Sequence, residues 1–468
     1  VPDVALAPLN ERTDTPTHRG ALTGVWVGVA MVVVIPAALI HFTPSPTDHS
    51  WLGTLLIAML SGSRYAWIVG DGRRRLVEMS FWVFTYVFLG IAATVQIRTG
   101  VYPVTTPRVD PALNGPATIL VLVGLAAFTL GLMVPATSSR RARTPVRINE
   151  RRTIFLAFVA LAANGYYVAK LGVGVLFANR LDRDNTEQTV WPDSATFGII
   201  AALASMSIVV AFVALVKHLQ QSTTPSRPMI VLTIIVGGTL AMTINPISSA
   251  RYIFGTAALA ALAAFGMFAT RRRFRIVSIL AVVALIVVFP LADAFRYTSN
   301  ADFKATDTLS ALSSADFDAF EQINNTILYV DRHGSTHGRQ ALGVVLFAVP
   351  RRIWPGKAND TGALIAESRH YENLNMSAPF WSELYINGLW IALVAGMFAL
   401  GALAKIADTR IEESLLRSRS PAMLACVLPF YLLIVLRGSL LQAMSYLTVI
   451  VVCSLFVTDL RKRPDGTE

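Results

Sequence analysis

Cysteine is nearly absent: Cys426 and Cys453 are the only two, both inside apolar stretches near the C-terminal end. That excludes a disulfide framework and a cysteine-ligated metal centre. Charge is scarce as well, at 15% of residues against 54% hydrophobic, and the mean hydropathy is +0.55. A water-soluble chain of this length could not bury that much apolar surface, so the solvent for most of it is lipid. The Walker loop, the dinucleotide glycine pattern, the nucleophile elbow and the zinc signatures are missing. His333, His337 and His370 lack metal-ligand spacing. No metal, cofactor or nucleic-acid partner is expected. No internal repeat stands out, which counts against a transporter built from inverted halves.

What is present is apolar length. Runs able to cross roughly 30 Å of hydrocarbon recur at 21–42, 51–70, 76–97, 113–135, 152–169, 194–216, 229–246, 250–269, 274–294, 383–407, 421–437 and 439–458. The expected fold is all-α, a polytopic transmembrane bundle of about twelve spans. Nine spans lie in 21–295 and three in 383–458. The first run lacks a small-residue cleavage pattern and reads as a signal anchor, while 1–20 and the tail 459–468 read as disordered ends. The net charge of +11 sits in short clusters: Arg73, Arg74 and Arg75; Arg140 through Arg152; Lys217 and Arg227; Arg271, Arg272, Arg273 and Arg275; Lys405 through Arg419; and Arg461, Lys462 and Arg463. All fall on one side of the expected bundle, which the positive-inside rule makes the cytoplasm, together with both termini. The multi-pass chain is then expected in the plasma (inner) membrane, with 296–382 as a large outer loop and 170–194 as a smaller one.

The large loop carries its own signals. Leu309, Leu312, Phe317, Phe320, Ile323 and Ile327 recur at helical spacing, which predicts an amphipathic helix on the membrane surface or on the bundle. The apolar stretch 341–349 is too short to span and reads as a re-entrant or interfacial helix stopped by Pro350. A second short helix is predicted over 360–367, after the turn at Pro355 and Gly356.

Exceptions to the charge rule carry the chemistry. Arg180, Arg183, Arg251, Arg296, Arg339, Arg351, Arg352, Lys357 and Arg437 all map to the outer face. Arginine grips phosphate bidentately and keeps its charge, so several together can hold a pyrophosphate and stabilise it as a leaving group without a metal ion. The competing reading is that each one snorkels to the lipid headgroups, as Arg64 does at the inner end of the second span. Arg437, in a tight turn between apolar flanks, needs a partner or a function. Proton acceptors on the same face are Asp182, Asp184, Glu187, Asp316, Asp318, Glu321, Glu367, His370 and Glu383. Glu383 is the most deeply placed; the alternative for it is a helix N-terminal acid stabilised by the dipole. Trp191, Tyr297, Trp354, Tyr371, Phe380, Trp381 and Tyr385 offer faces for sugar rings.

Three stretches, 171–180 (LGVGVLFANR), 245–254 (NPISSARYIF) and 349–364 (VPRRIWPGKANDTGAL), the last followed by 382–389 (SELYINGL), resemble the Wzy-type O-antigen polymerases, also called oligosaccharide repeat unit polymerases. The likeness runs from about the fifth span through the tenth. It implies a GT-C-like architecture shared with O-antigen ligases and a metal-independent membrane glycosyltransferase. Such an enzyme polymerises polyprenyl-pyrophosphate-linked oligosaccharide units into a surface polysaccharide. Its partners would be the lipid-linked donor and acceptor, membrane lipids and a chain-length regulator. The outer-loop arginines are the functional residues in that family, and the matching positions are Arg180, Arg251, Arg351 and Arg352. Arg183 and Arg296 join by proximity, and Glu383, then His370, are preferred as the base. The competing readings are an O-antigen ligase, a lipid-linked oligosaccharide flippase or other transporter, and a non-catalytic scaffold.

Overall fold

The computed structural model describes residues 18–136, 147–288 and 307–459. Arg296, Tyr297, the cluster Arg140, Arg141 and Arg143, and residues 1–17 and 460–468 of the two ends lie outside the described residues, while residues 18–20, read as part of a disordered end, are helical. Within them every regular element is a helix, and the one strand-like contact is an isolated bridge between Ile148 and Thr458. In chain order the main helices are α1 His18–Phe42, α2 Trp51–Asp71, α3 Leu76–Thr99, α4 Pro111–Gly131 and α5 Glu150–Leu171. There follow α6 Arg180–Val190, α7 Ser194–Gln221, α8 Arg227–Thr243, α9 Arg251–Ala264 and α10 Arg271–Val283. The remainder are α11 Ala319–His333, α12 Arg339–Val345, α13 Thr361–Ser368, α14 Phe380–Leu415, α15 Leu428–Arg437 and α16 Leu440–Val457.

Eight of these, α1 to α5, α7, α14 and α16, are long and apolar enough to cross a bilayer. The chain is a multi-pass membrane protein. Large apolar side chains face outward from the spans as well as inward, the outward ones including Trp26 at 72% and Ile391 at 83% exposure, the arrangement that lipid favours and water penalises. About twelve spans were expected. The helices α8, α9 and α15 are apolar but run only 17, 14 and 10 residues, short of the roughly 20 that a straight crossing takes. The expected ninth span starts in α10, continues as the π-helical turn Ala284–Val288 and then leaves the described residues. The expected span 383–407 is interrupted: Gly388 and Leu389 leave helical geometry inside α14, Leu389 at φ 55°. Glu383 therefore sits in a two-turn segment ahead of the break, not at the start of a continuous span.

Hydrogen bonds sort the connections into two ends. At one end Arg275 donates to the carbonyls of Val69 and Gly70, Arg74 pairs with Glu412 at 2.8 Å, and Arg147 accepts from the backbone of Asp459. Lys217 donates there to Ser420, and Gln220 to Ala264. At the other end Arg98 reaches Thr43, Asn114 reaches Ser50 and Asn324, and Gln96 reaches the carbonyls of Leu312 and Phe317. The basic clusters that fall within the described residues thus collect at one end, and the loop-borne candidate residues at the other. Arg64, read as an anchor, instead pairs with Glu78 at 2.5 Å and covers Trp67.

The large loop is not draped on the surface. Its helical stretch is broken into Asp307–Ser310, two 3-10 turns and α11. Every residue from Ala319 to Ile327 is buried, so α11 is packed into the bundle, against α4, α13 and α14. The short helices fall close to expectation: α12 ends before Pro350 with Leu342 and Val345 exposed, and α13 is capped by the Asp360 side chain.

Close approach of backbones sets the bundle together. Gly131 on α4 and Gly401 on α14 cross so tightly that a Cβ on Gly131 would meet the Gly401 Cα at 3.0 Å, and one on Gly24 of α1 would meet Gly70 of α2 at 2.9 Å. Small residues drive such crossings in lipid, where there is no hydrophobic force between helices. Gly401→Leu is expected to abolish the folded, monodisperse protein in detergent gel filtration, because the side chain must displace the α4 backbone. Gly165→Leu, which meets nothing within 4 Å, should elute as wild type.

Candidate functional site

Two of the stretches that carry the family likeness fold onto each other. Asn245, just after α8, makes an Asx turn, its Oδ1 accepting from the backbone N–H groups of Ile247 and Ser248 at 3.0 Å. Its Nδ2 donates to the Leu176 carbonyl at 2.8 Å, and Ser248 Oγ donates to the same carbonyl at 2.7 Å. The 245–249 turn is thereby bolted to the 3-10 turn Val173–Phe177. Arg183, buried on α6, locks the joint: its Nη1 donates to Ser248 Oγ at 2.9 Å, its Nε to Glu187 at 2.8 Å and its Nη2 to the Tyr167 hydroxyl at 3.0 Å. All three nitrogens of Arg183 are engaged inside the protein. Trp191 is buried against Tyr167, with ring centroids 5.5 Å apart.

Three arginines remain partly open around this joint. Arg180 pairs with Asp184 at 2.6 Å and donates to the Ser248 carbonyl at 3.2 Å. Arg251, at the start of α9, pairs with Asp316 at 2.9 Å. Arg437, at the end of α15, pairs with Asp318 at 3.1 Å and donates to the carbonyls of Asp316 and Ala315 at 2.8 and 2.9 Å. The 315–318 turn is thus held between Arg251 and Arg437. Tyr252 lies in the field of both Arg180 and Arg437, and its ring meets that of Tyr446 edge-on with centroids 6.4 Å apart. Arg180, Arg251 and Arg437 form one rim, with Asp184 and Asp316 the more exposed partners at 34% and 39%. A pyrophosphate can take over the guanidinium groups of Arg180 and Arg251 without leaving a buried carboxylate bare, because half-exposed ion pairs are weak.

The remaining candidate cations form a second group. Arg339 donates to the Gly356 carbonyl, Arg351 to the carbonyls of Lys357 and Ala358 and to Asn359, and Lys357 to the carbonyls of Phe347 and Val349. Partial burial, then the neighbouring Arg351, push the Lys357 ammonium below its usual range. Arg352 is exposed and makes no ion pair among the described residues. All of these bonds stay within 339–359.

Glu383 is buried, and its carboxylate ties three elements together: it accepts from Thr361 Oγ1 at 2.8 Å, from Ser439 Oγ at 3.2 Å and from the Leu440 backbone N–H at 2.9 Å. It supplies the cap that α16 does not supply for itself. His370 is exposed, with φ 53°, and its carbonyl accepts from Arg108. None of its contacts joins it to the arginine rim. Trp381 is fully buried against Phe81 and donates to the Val121 carbonyl, which removes it from a sugar-stacking role. Asp316, Asp318, Tyr252 and Tyr446 complete the rim. The two aspartates stood in the sequence among nine candidate proton acceptors of the outer face, and the tyrosines, one in each of two apolar runs, gave no signal.

No family model matches the chain, and neither a similar curated protein nor a similar solved structure is found.

One buried acid lies just behind the rim. Glu321 is fully buried on α11, and desolvation, reinforced by Asp318, raises its carboxyl from 4.5 to about 8. Burial also pushes Asp318 up, against the pull of Arg437. The groups facing Glu321 are Asp318 and Tyr102, with Arg437 beyond Asp318. An acid whose pKa rises on folding favours the folded state below its unfolded value, and that advantage is lost between about 4.5 and about 8. Glu321→Gln should therefore melt with wild type near pH 4.5 and several degrees above it at pH 8.5, with a flatter pH profile. Parallel profiles in detergent would mean that Glu321 ionises freely.

Proposed function

We propose that this chain is a metal-independent glycosyltransferase that polymerises polyprenyl-pyrophosphate-linked oligosaccharides at the outer face of the plasma membrane. Its termini would be cytoplasmic and the arginine rim outermost. The observation that carries this is the convergence of Arg180, Arg251 and Arg437 from three separated segments on one rim, joined through the interlocked 171–180 and 245–254 stretches. The one-sided gathering of the described basic clusters supports the orientation. The second basic group, Arg339, Arg351, Arg352 and Lys357, would receive the phosphate of the other lipid-linked substrate.

The chemistry follows from the charges. The donor pyrophosphate displaces Asp184 and Asp316 from Arg180 and Arg251, and the guanidinium groups stabilise the charge that grows on the leaving oxygen. The acceptor hydroxyl attacks the anomeric carbon: the new C–O bond forms as the bond to pyrophosphate breaks, and polyprenyl pyrophosphate departs with the electron pair. The hydroxyl proton goes to Asp316, which has lost its counter-charge to the incoming phosphate and is correspondingly more basic. Glu383 acts as a positioning residue that fixes the 361 segment against α16, and His370, which no contact joins to the rim, takes no part. An O-antigen ligase would use the same rim. The transporter reading has one observation in its favour, the break at Gly388 and Leu389, but the break lies one turn from Glu383 at the loop end, not mid-span.

The test is complementation by Arg180→Gln, Arg251→Gln, Arg437→Gln and Asp316→Asn, with membrane abundance checked. Surface glycan should collapse to single repeat units at normal abundance, with in vitro chain extension down on the order of a hundredfold for each arginine. Unchanged chain length in all four would sink the reading.

A further inference from the structure

Helix α11 is amphipathic, yet over Ala319–Ile327 neither of its faces meets solvent. One face carries Phe320, Ile323 and Ile327; the other carries Glu321, Gln322, Asn324 and Asn325, each exposed by 2% or less. Residues three and four apart share a helix face, so these four side chains adjoin. Both Glu321 oxygens, both amide ends of Gln322, Asn324 Oδ1 and Asn325 Nδ2 are buried without a hydrogen-bond partner among the described residues. Buried polar atoms are ordinarily bonded, and a row of orphans on one face points to a ligand.

Two segments cover that face. From the α3–α4 connection, Tyr102 lies within the field of Glu321, and at the start of α4 Asn114 Oδ1 accepts from Asn324 at 2.9 Å. From the segment after α13, the Tyr371 hydroxyl reaches Asn325 Oδ1 at 3.5 Å and the Ser377 N–H reaches Asp318 at 3.5 Å. The covers are fastened to each other at the surface: Arg108 donates to the carbonyls of Arg369 and His370 at 2.8 and 3.0 Å, and Arg369 donates back to the Arg108 carbonyl. This latch involves no carboxylate, and its bonds are exposed.

We propose that the polar face of α11 is the subsite for the sugar portion of the lipid-linked substrate, reached when the Arg108 latch opens. The donor set selects the ligand class. Phosphate calls for donors alone and a cation for acceptors alone, whereas carboxamides beside a protonated carboxyl offer both, as each sugar hydroxyl does. Glu321 keeps its proton near neutral pH. The place fits too: Asp318, bound to Arg437 of the rim, precedes Glu321 by less than one helical turn, about 5 Å along the axis, so a sugar joined to the pyrophosphate reaches both. This assignment rests on the polymerase reading.

The experiment uses the full chain in detergent and two probes. One is the lipid-linked oligosaccharide fraction extracted from cells deleted for this gene, and the other is polyprenyl pyrophosphate without sugar. Gln322→Leu and Asn325→Leu should weaken binding of the oligosaccharide probe roughly tenfold or more while leaving the bare pyrophosphate lipid unaffected. Where a leucine variant folds poorly, Gln322→Glu and Asn325→Asp give the same comparison with shape retained. Equal loss for both probes, or loss for neither, overturns the sugar subsite and leaves the arginine rim standing. Failure of the wild type to bind either probe overturns the polymerase reading itself.

Discussion

In hydrocarbon a helix end cannot leave its amides to water, and this chain solves that with carboxylates borrowed from a neighbour. Helix α14 carries them at both extremities. Asp408 accepts from the backbone N–H groups of Val77 and Glu78, closing the start of α3, and Glu412 accepts from the Arg74 N–H just before it. At the far end Glu383 accepts from the Leu440 N–H and closes the start of α16. Each bond satisfies a backbone donor at or beside a helix N-terminus. The spacing between those carboxylates fixes how α3 and α16 stand relative to α14, and the Gly131–Gly401 crossing fixes α4 against the same helix.

That frame explains why the large loop is ordered inside the bundle. With α14 broken at Gly388 and Leu389, the segment ahead of the break turns its backbone to the loop: the Thr336 N–H donates to the Ile386 carbonyl, and Asn387 Oδ1 accepts from the Ala341 N–H. Arg251 and Arg437 then grip the 315–318 turn from the other side. The loop is pinned by polar contacts at its two flanks, and α11 fills the space between them.

The fold class and the gathering of the described basic clusters at one end were legible because lipid imposes apolar length and charge sorting on the sequence itself. The number of full crossings was less so: α8 and α9 look like spans in composition, but the Asn245–Pro246 turn between them uses residues that hydropathy counts as span. The arginine rim was half legible. Arg180, Arg251 and Arg437 stood out as cations on the wrong side, yet Arg183 carried the same signal and is consumed in a structural lock, and nothing in sequence distinguishes an arginine with Ser248, Tyr167 and Glu187 around it from one with a half-exposed aspartate. The burial of Glu321 was hidden for a related reason. Its helix has the period of a surface element, and only the covering segments, remote in sequence, take its polar face out of water.

The two ends of the bundle also differ in what their charges can do. At the basic end Arg74 and Glu78 side chains are 2% and 3% exposed and their partners are fixed; a saturated buried pair can neither take a ligand nor release a proton without first breaking the fold. At the rim the pairs Arg180–Asp184 and Arg251–Asp316 are each open on the acidic side, so a dianionic ligand competes with a carboxylate that water will readily receive. The proposed function would need no rearrangement of the spans, only an exchange of partners.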